Sequence, residues 1–104
     1  MKTRTVNLGP VEAIALGHGM CFVVVGKEIA VFRSRAGKLF AVSNRCPHRQ
    51  GPLVDGVIDD AQVICPLHGH KFDLTTGHGS ETGECVKTYR VWEENGQLIL
   101  GGVQ

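Results

Sequence analysis

Cys46-Pro47-His48-Arg49-Gln50-Gly51-Pro52-Leu53 and Cys65-Pro66-Leu67-His68-Gly69-His70 follow one internal plan: cysteine, proline, a histidine at ligand spacing, then glycine. The sixteen residues 49–64 separate the first histidine from the second cysteine. Two thiolates and two imidazoles in a chain of 104 residues are the signature of a metal site, and two loops of one design point to one shared object. Proline fixes φ and stiffens each loop, while glycine lets backbone N–H groups come close to a buried anion such as inorganic sulfide. Each loop supplies one anionic sulfur and one neutral nitrogen. Cys46, His48, Cys65 and His68 therefore bring only two negative charges, which suits a site that takes up and gives back an electron.

Outward from these loops the chain reads as strands. Its 14 glycines leave few windows long enough for three helical turns, which predicts an all-β fold. Met20-Cys21-Phe22-Val23-Val24-Val25 and Glu28-Ile29-Ala30-Val31-Phe32-Arg33 are joined by a turn at Gly26-Lys27 and form a hairpin. A second turn leads into residues 38–43, with Leu39, Ala41 and Ser43 on one face and Phe40 and Val42 on the other, giving a meander. Residues 87–92 and 97–100 flank Glu93-Glu94-Asn95-Gly96, where Asn-Gly supplies the positive φ angles of a closing hairpin. Val57-Ile58 and Gln62-Val63-Ile64, around Asp59-Asp60, make a small hairpin that returns Cys65 toward Cys46. The helical candidate is residues 11–16 after Pro10, too short to stand without tertiary support. Residues 44–83, rich in Pro, Gly, His and Cys, read as an inserted site-bearing lobe within one domain spanning residues 1–104.

Composition narrows the partners. A hydrophobic content of 42 % and a charged content of 20 % are ordinary for a globular protein with one modest core. A net charge of +1 gives no field that would gather nucleic acid or an anionic membrane. No 18 apolar residues run together and the amino terminus has no apolar run of signal-peptide length, so a soluble cytoplasmic protein is expected. The four cysteines would allow two disulfides, but two of them already stand beside histidines in matched motifs.

With both loops present, together with the Asn44-Arg45-Cys46-Pro47-His48 entry and the Lys71-Phe72-Asp73 exit, the chain resembles the Rieske family. In that family Cys-x-His and Cys-x-x-His loops hold a [2Fe–2S] cluster, two cysteines on one iron and two histidines on the other. The resemblance implies an antiparallel β-sandwich with a small cluster-binding lobe, one cluster per chain, and Cys46, His48, Cys65 and His68 as its ligands. A structural zinc ion also takes two cysteines and two histidines, but zinc sites usually group like ligands, whereas this chain alternates them. Two thiolates leave the oxidised cluster neutral, so reduction is easier than with four, within a range of roughly −150 to +300 mV. High-potential members carry a second cysteine in each loop and hydroxyl donors near the sulfurs. The matching positions here are Gly51, Leu67, His70 and Phe72, which implies the low-potential, ferredoxin-like end.

Other residues have simpler readings. Cys21 and Cys85 read as small buried strand residues, and His18 and His78, each between glycines, as solvated loop residues. His70 reads as exposed and non-ligating. Leu53 and Leu67 are expected to flank the ligand imidazoles, shielding the cluster or adding to a docking patch, and Tyr89 and Trp92 read as sheet residues outside any electron relay. The ligand histidines are expected at the surface, where a partner meets them.

The chain holds no second active site, having no room for a mononuclear iron domain and no Gly-x-Gly-x-x-Gly run, so by itself it relays electrons. Cys65-Pro66-Leu67-His68-Gly69, Lys71-Phe72-Asp73-Leu74-Thr75-Thr76-Gly77 and Glu84-Cys85-Val86-Lys87-Thr88-Tyr89 resemble the small subunit of NAD(P)H-dependent nitrite reductase. That resemblance implies an accessory redox subunit in nitrate assimilation, beside a large subunit carrying flavin and sirohaem. His70, where that family often has Trp, and Arg90, where Pro is common after Tyr, depart from it. One alternative is a Rieske ferredoxin serving a reductase and a ring-hydroxylating dioxygenase. Another is a non-redox interaction subunit whose metal only holds the lobe together.

Overall fold

The computed structural model describes residues 4–44, 53–59, 61–64, 71–79 and 86–103. Nine strands run β1 (Arg4–Pro10), β2 (His18–Val24), β3 (Lys27–Arg33), β4 (Leu39–Ser43), β5 (Val57–Asp59), β6 (Gln62–Ile64), β7 (Lys71–Asp73), β8 (Thr88–Glu94) and β9 (Gln97–Val103). They form a six-stranded sheet ordered β1-β9-β8-β4-β3-β2 and a three-stranded sheet ordered β5-β6-β7. Every pairing is antiparallel. The expected all-β architecture is what the chain adopts.

Alternation along β3 and β4 decides where the cores lie. Ile29, Val31 and Ala41 face one core with Val11, Ile14, Val24, Leu98 and Leu100. Ala30, Phe32 and Val42 face the other, packed with Leu53, Val63, Phe72, Leu74 and Val86. The middle of the large sheet is thus covered on both faces, which is why β3 reads as a nearly unbroken apolar run. The second core is the one on which the small sheet sits.

The first hairpin turns one residue earlier than the predicted Gly26-Lys27. Val24 lies opposite Lys27, leaving Val25 and Gly26 as the turn, with φ of 52° and 72°. Phe32 sets this register: its ring lies against Gly19, where a Cβ would stand 2.6 Å from Cδ1. Sliding the strands by two residues would bring the Cys21 side chain into that space. The closing hairpin has the same two-residue geometry at Asn95 and Gly96, with φ of 52° and 78°.

Three other segments differ from expectation. The helical candidate shortens to one 3-10 turn, Val11–Ala13, because Pro10 offers no side-chain cap and Ile14 turns extended to enter the core. β1, not foreseen, pairs with β9 through two register shifts. β7 adds a third strand to the predicted small hairpin. Among the described residues no helix is long and apolar enough to cross a membrane.

Candidate metal centre

Asn44 stands where β4 gives way to the first cysteine loop. Its N–H donates to the Glu28 carbonyl at 3.0 Å, and the preceding Ser43 N–H donates to the Lys87 carbonyl at 2.8 Å, so the departing chain is held on both sides. The Leu53 N–H returns to the Asn44 carbonyl at 2.7 Å, and the Val54 N–H to Asn44 Oδ1 at 2.9 Å. These two bonds close segment 45–52 at its base. Leu53 opens a single 3-10 turn, Leu53–Asp55, and is completely buried in the second core. Its burial anchors the far end of the loop and removes it from any docking patch.

Segment 65–70 is closed by sheet pairing, since Ile64 and Lys71 lie opposite one another across β6 and β7. Gly56 joins the two bases. Its N–H donates to the Leu53 carbonyl at 2.9 Å. A Cβ at this position would collide with the Ile64 carbonyl oxygen and stand 3.1 Å from the Leu53 oxygen. The residue before Cys65 and the residue after the first loop are therefore one glycine apart, an approach that a side chain would block.

Gly79 and Val86, which flank segment 80–85, are held by β7 and the turn after it. Gly79 forms an antiparallel bridge with Phe72. Val86 then donates to the Gly77 carbonyl at 2.7 Å, and Gly77, at φ 84°, to the Asp73 carbonyl at 2.7 Å. Asp73 Oδ1 accepts from the Thr75 and Thr76 N–H groups at 2.7 and 3.1 Å, shaping the turn after β7.

Cys46, His48, Cys65 and His68 lie outside the described residues, as do Leu67, His70 and Cys85. What the structure describes is the residues from which the two loops leave and to which they return. Two closed loop bases one glycine apart allow each loop to bring one sulfur and one nitrogen to the same group, and the soft, half-charged donor set fits iron and sulfide. Among the described residues no group of three His, Cys, Asp or Glu side chains is placed to hold a metal ion. His18 is exposed as the first residue of β2, not in a loop, and His78 is exposed in the short bridge segment that follows the turn after β7. Cys21, expected to be buried, is exposed on β2 at the border of the large sheet, and its Sγ accepts from Asn44 Nδ2 at 3.4 Å.

Tyr89 and Trp92 are half-buried on β8, as read from the sequence. Lys87 Nζ lies 5.2 Å from the Tyr89 ring centre and the Arg90 guanidinium 5.9 Å from that of Trp92. Burial pushes the Tyr89 phenol above its ordinary value. Asn44 and Gly56 hold the loop bases, and motif spacing did not single them out. Asn44 was visible only as part of the loop entry, and Gly56 as one glycine among many.

The family model of the Rieske [2Fe-2S] domain matches residues 5–93. The chain belongs to the Rieske family. As a Rieske [2Fe–2S] protein it carries a [2Fe–2S] cluster and transfers electrons. It is 37 % identical over 102 residues, 96 % of this chain and 97 % of the relative, to the ferredoxin component of the naphthalene 1,2-dioxygenase/salicylate 5-hydroxylase systems of Ralstonia sp.. It is 52 % identical over 48 residues to the 4beta-methylsterol monooxygenase of Methylococcus capsulatus (strain Bath), a match spanning 46 % of this chain and 13 % of that longer protein. Its fold superimposes with a TM-score of 0.92 on a Mycobacterium tuberculosis chain assigned as the NADH-dependent nitrite reductase small subunit. That match covers 100 % of this Rieske chain and 99 % of the other at 20 % identity.

Proposed function

We propose that Cys46 and Cys65 hold one iron of the Rieske cluster and His48 and His68 the other, and that the protein is the ferredoxin of a ring-hydroxylating oxygenase system. The observation that carries the ligand assignment is the convergence of the two loop bases on Gly56. The cluster supplies a one-electron carrier whose oxidised form is neutral with this ligand set. The residues do the rest. Each imidazole keeps one ring nitrogen that is not on the metal, where a proton can be held when the site is reduced and released when it is oxidised. Cys46 and Cys65 must be thiolates to bind, which accords with a reducing, cytoplasmic compartment.

The partner reading rests on whole-length likeness to a dioxygenase-system ferredoxin. The reading as a nitrite reductase small subunit is supported by the residues at 71–77 and 84–89, while the structural match to such a chain, at 20 % identity, speaks for fold alone. A reconstituted assay separates the two. The loaded protein is reduced chemically and mixed with a purified naphthalene-type terminal oxygenase or with a sirohaem nitrite reductase large subunit. Re-oxidation coupled to ring hydroxylation is expected; re-oxidation coupled only to nitrite reduction would transfer the protein to the second reading. The midpoint potential should lie below about +100 mV, in the lower part of the Rieske range.

A further inference from the structure

We propose that Asn44 is a positioning residue for the cluster, fixing the base of loop 45–52 so that Cys46 and His48 reach the metal in a defined arrangement. This rests on the reading of Cys46 and His48 as ligands. Asn44 is 2 % exposed, and with Ser34 it makes up the buried polar side chains of the described residues. Ser34 closes a tight turn through Lys38, four residues away. Asn44 instead reaches three elements. Its main chain binds β3 at the Glu28 carbonyl and the 3-10 turn at the Leu53 N–H. Its Oδ1 takes the Val54 N–H, and its Nδ2 points at Cys21 Sγ on β2 and Glu28 Oε1 on β3, each at 3.4 Å.

The chemistry of the amide is what the place requires. A backbone N–H can meet only an acceptor, so the Val54 contact fixes which end of the amide is oxygen, and the nitrogen must then face the sulfur and the carboxylate. Alanine would leave the Val54 N–H without this buried acceptor, at a cost typical of an unsatisfied polar group. Aspartate would keep the acceptor but set a carboxylate against Glu28. Both changes act two residues from Cys46, on the bond that joins the two ends of its loop.

The test uses the full, cluster-loaded chain in four forms: wild type, Asn44→Ala, Asn44→Asp, and Asn44→Asp combined with Glu28→Gln. Iron release to a chelator and the low-temperature EPR spectrum of the reduced protein are read beside the thermal melt of the sheet. Both single variants should release iron about tenfold faster and show a shifted or broadened spectrum, as expected when a partner of the ligand frame is lost. The paired change reverses donor and acceptor at constant net charge and should restore both readouts. Wild-type release and spectra in folded single variants, or no recovery in the pair, would overturn the proposal. Should the single variants not fold, wild-type hydrogen exchange decides. Because coupling is reciprocal, cluster loading should slow exchange of the Val54 amide about tenfold more than that of Leu74, whose N–H binds the Ala61 carbonyl in the same lobe. Equal slowing of the two overturns it. Cys46→Ser tests the underlying ligand reading separately: if the cluster signal survives that change, the ligand reading fails. If it is abolished while the Asn44 variants match wild type, only the Asn44 proposal fails.

Discussion

In the six-stranded sheet most strands run seven residues, and β3 and β4 bury side chains on both faces; in the three-stranded sheet each strand runs three. Three such strands are too short to persist by pairing alone. The large sheet is held by apolar area, the small one by a few buried anchors and by main-chain clamps at Asn44, Gly56 and Gly77. The difference suits the work of each. A scaffold needs bulk stability, whereas a cluster frame needs its loop bases fixed in place, and hydrogen bonds fix position better than non-directional burial does.

The strongest way to break this comparison is Phe72→Ala, at a fully buried residue in the middle of β7. It should cost about 3–5 kcal/mol and sharply lower iron per chain. Hydrogen exchange on the folded variant should show β8 and β9 still protected while β5–β7 open. Equal loss of protection in both sheets would mean that they are not separable. Gly56→Ala should come next, at about 1–3 kcal/mol, because the new methyl has no room beside the Ile64 carbonyl. Its mark is iron loss out of proportion to the drop in melting temperature; a proportionate loss would make Gly56 an ordinary packing position.

Two smaller effects belong to the large sheet. Val25 is a β-branched residue at φ 52°, where Asn95 serves the matching turn. Val25→Asn should stabilise by about 1 kcal/mol and raise the melting temperature by about 4–8 °C, and Asn95→Val should do the reverse, with the cluster spectrum unchanged in both. Tyr89 gives the smallest effect. Burial disfavours its phenolate, so the native state keeps the proton longer than the unfolded chain does. The stability this represents is complete below about pH 10 and is lost as pH rises past that value. Difference absorbance of the single tyrosine checks it, and titration at or below the ordinary value would contradict the assignment.

The same division explains what the sequence disclosed. The hairpins were legible because strand-like runs flank Gly26 and Asn95-Gly96, and both faces of β4 followed from simple alternation. β1 was not legible, since Val6 and Leu8 are the large apolar residues of its seven and the strand gains its order from β9 at the far end of the chain, through two register shifts. The turn at Val25 was missed because the Phe32 ring over Gly19 sets the register, a contact that no local turn preference encodes. At the site, the four proposed ligand positions stand out because metal binding demands fixed residue types at fixed spacing. Asn44 and Gly56 do not stand out in that way. Their partners, Val54 and Ile64, are brought close by folding and have no sequence signature of their own.

The central claim is that two loops, each bringing one cysteine and one histidine, share one cluster. It is tested most directly by the nitrogen hyperfine spectrum of the reduced protein labelled with 15N only at histidine. The account predicts strong couplings from two directly bound imidazoles, both unchanged in His18→Ala and His78→Ala, with one lost from any cluster that His48→Cys or His68→Cys retains. A reduced cluster with no strong histidine coupling, or couplings that follow His18 or His78, would contradict it.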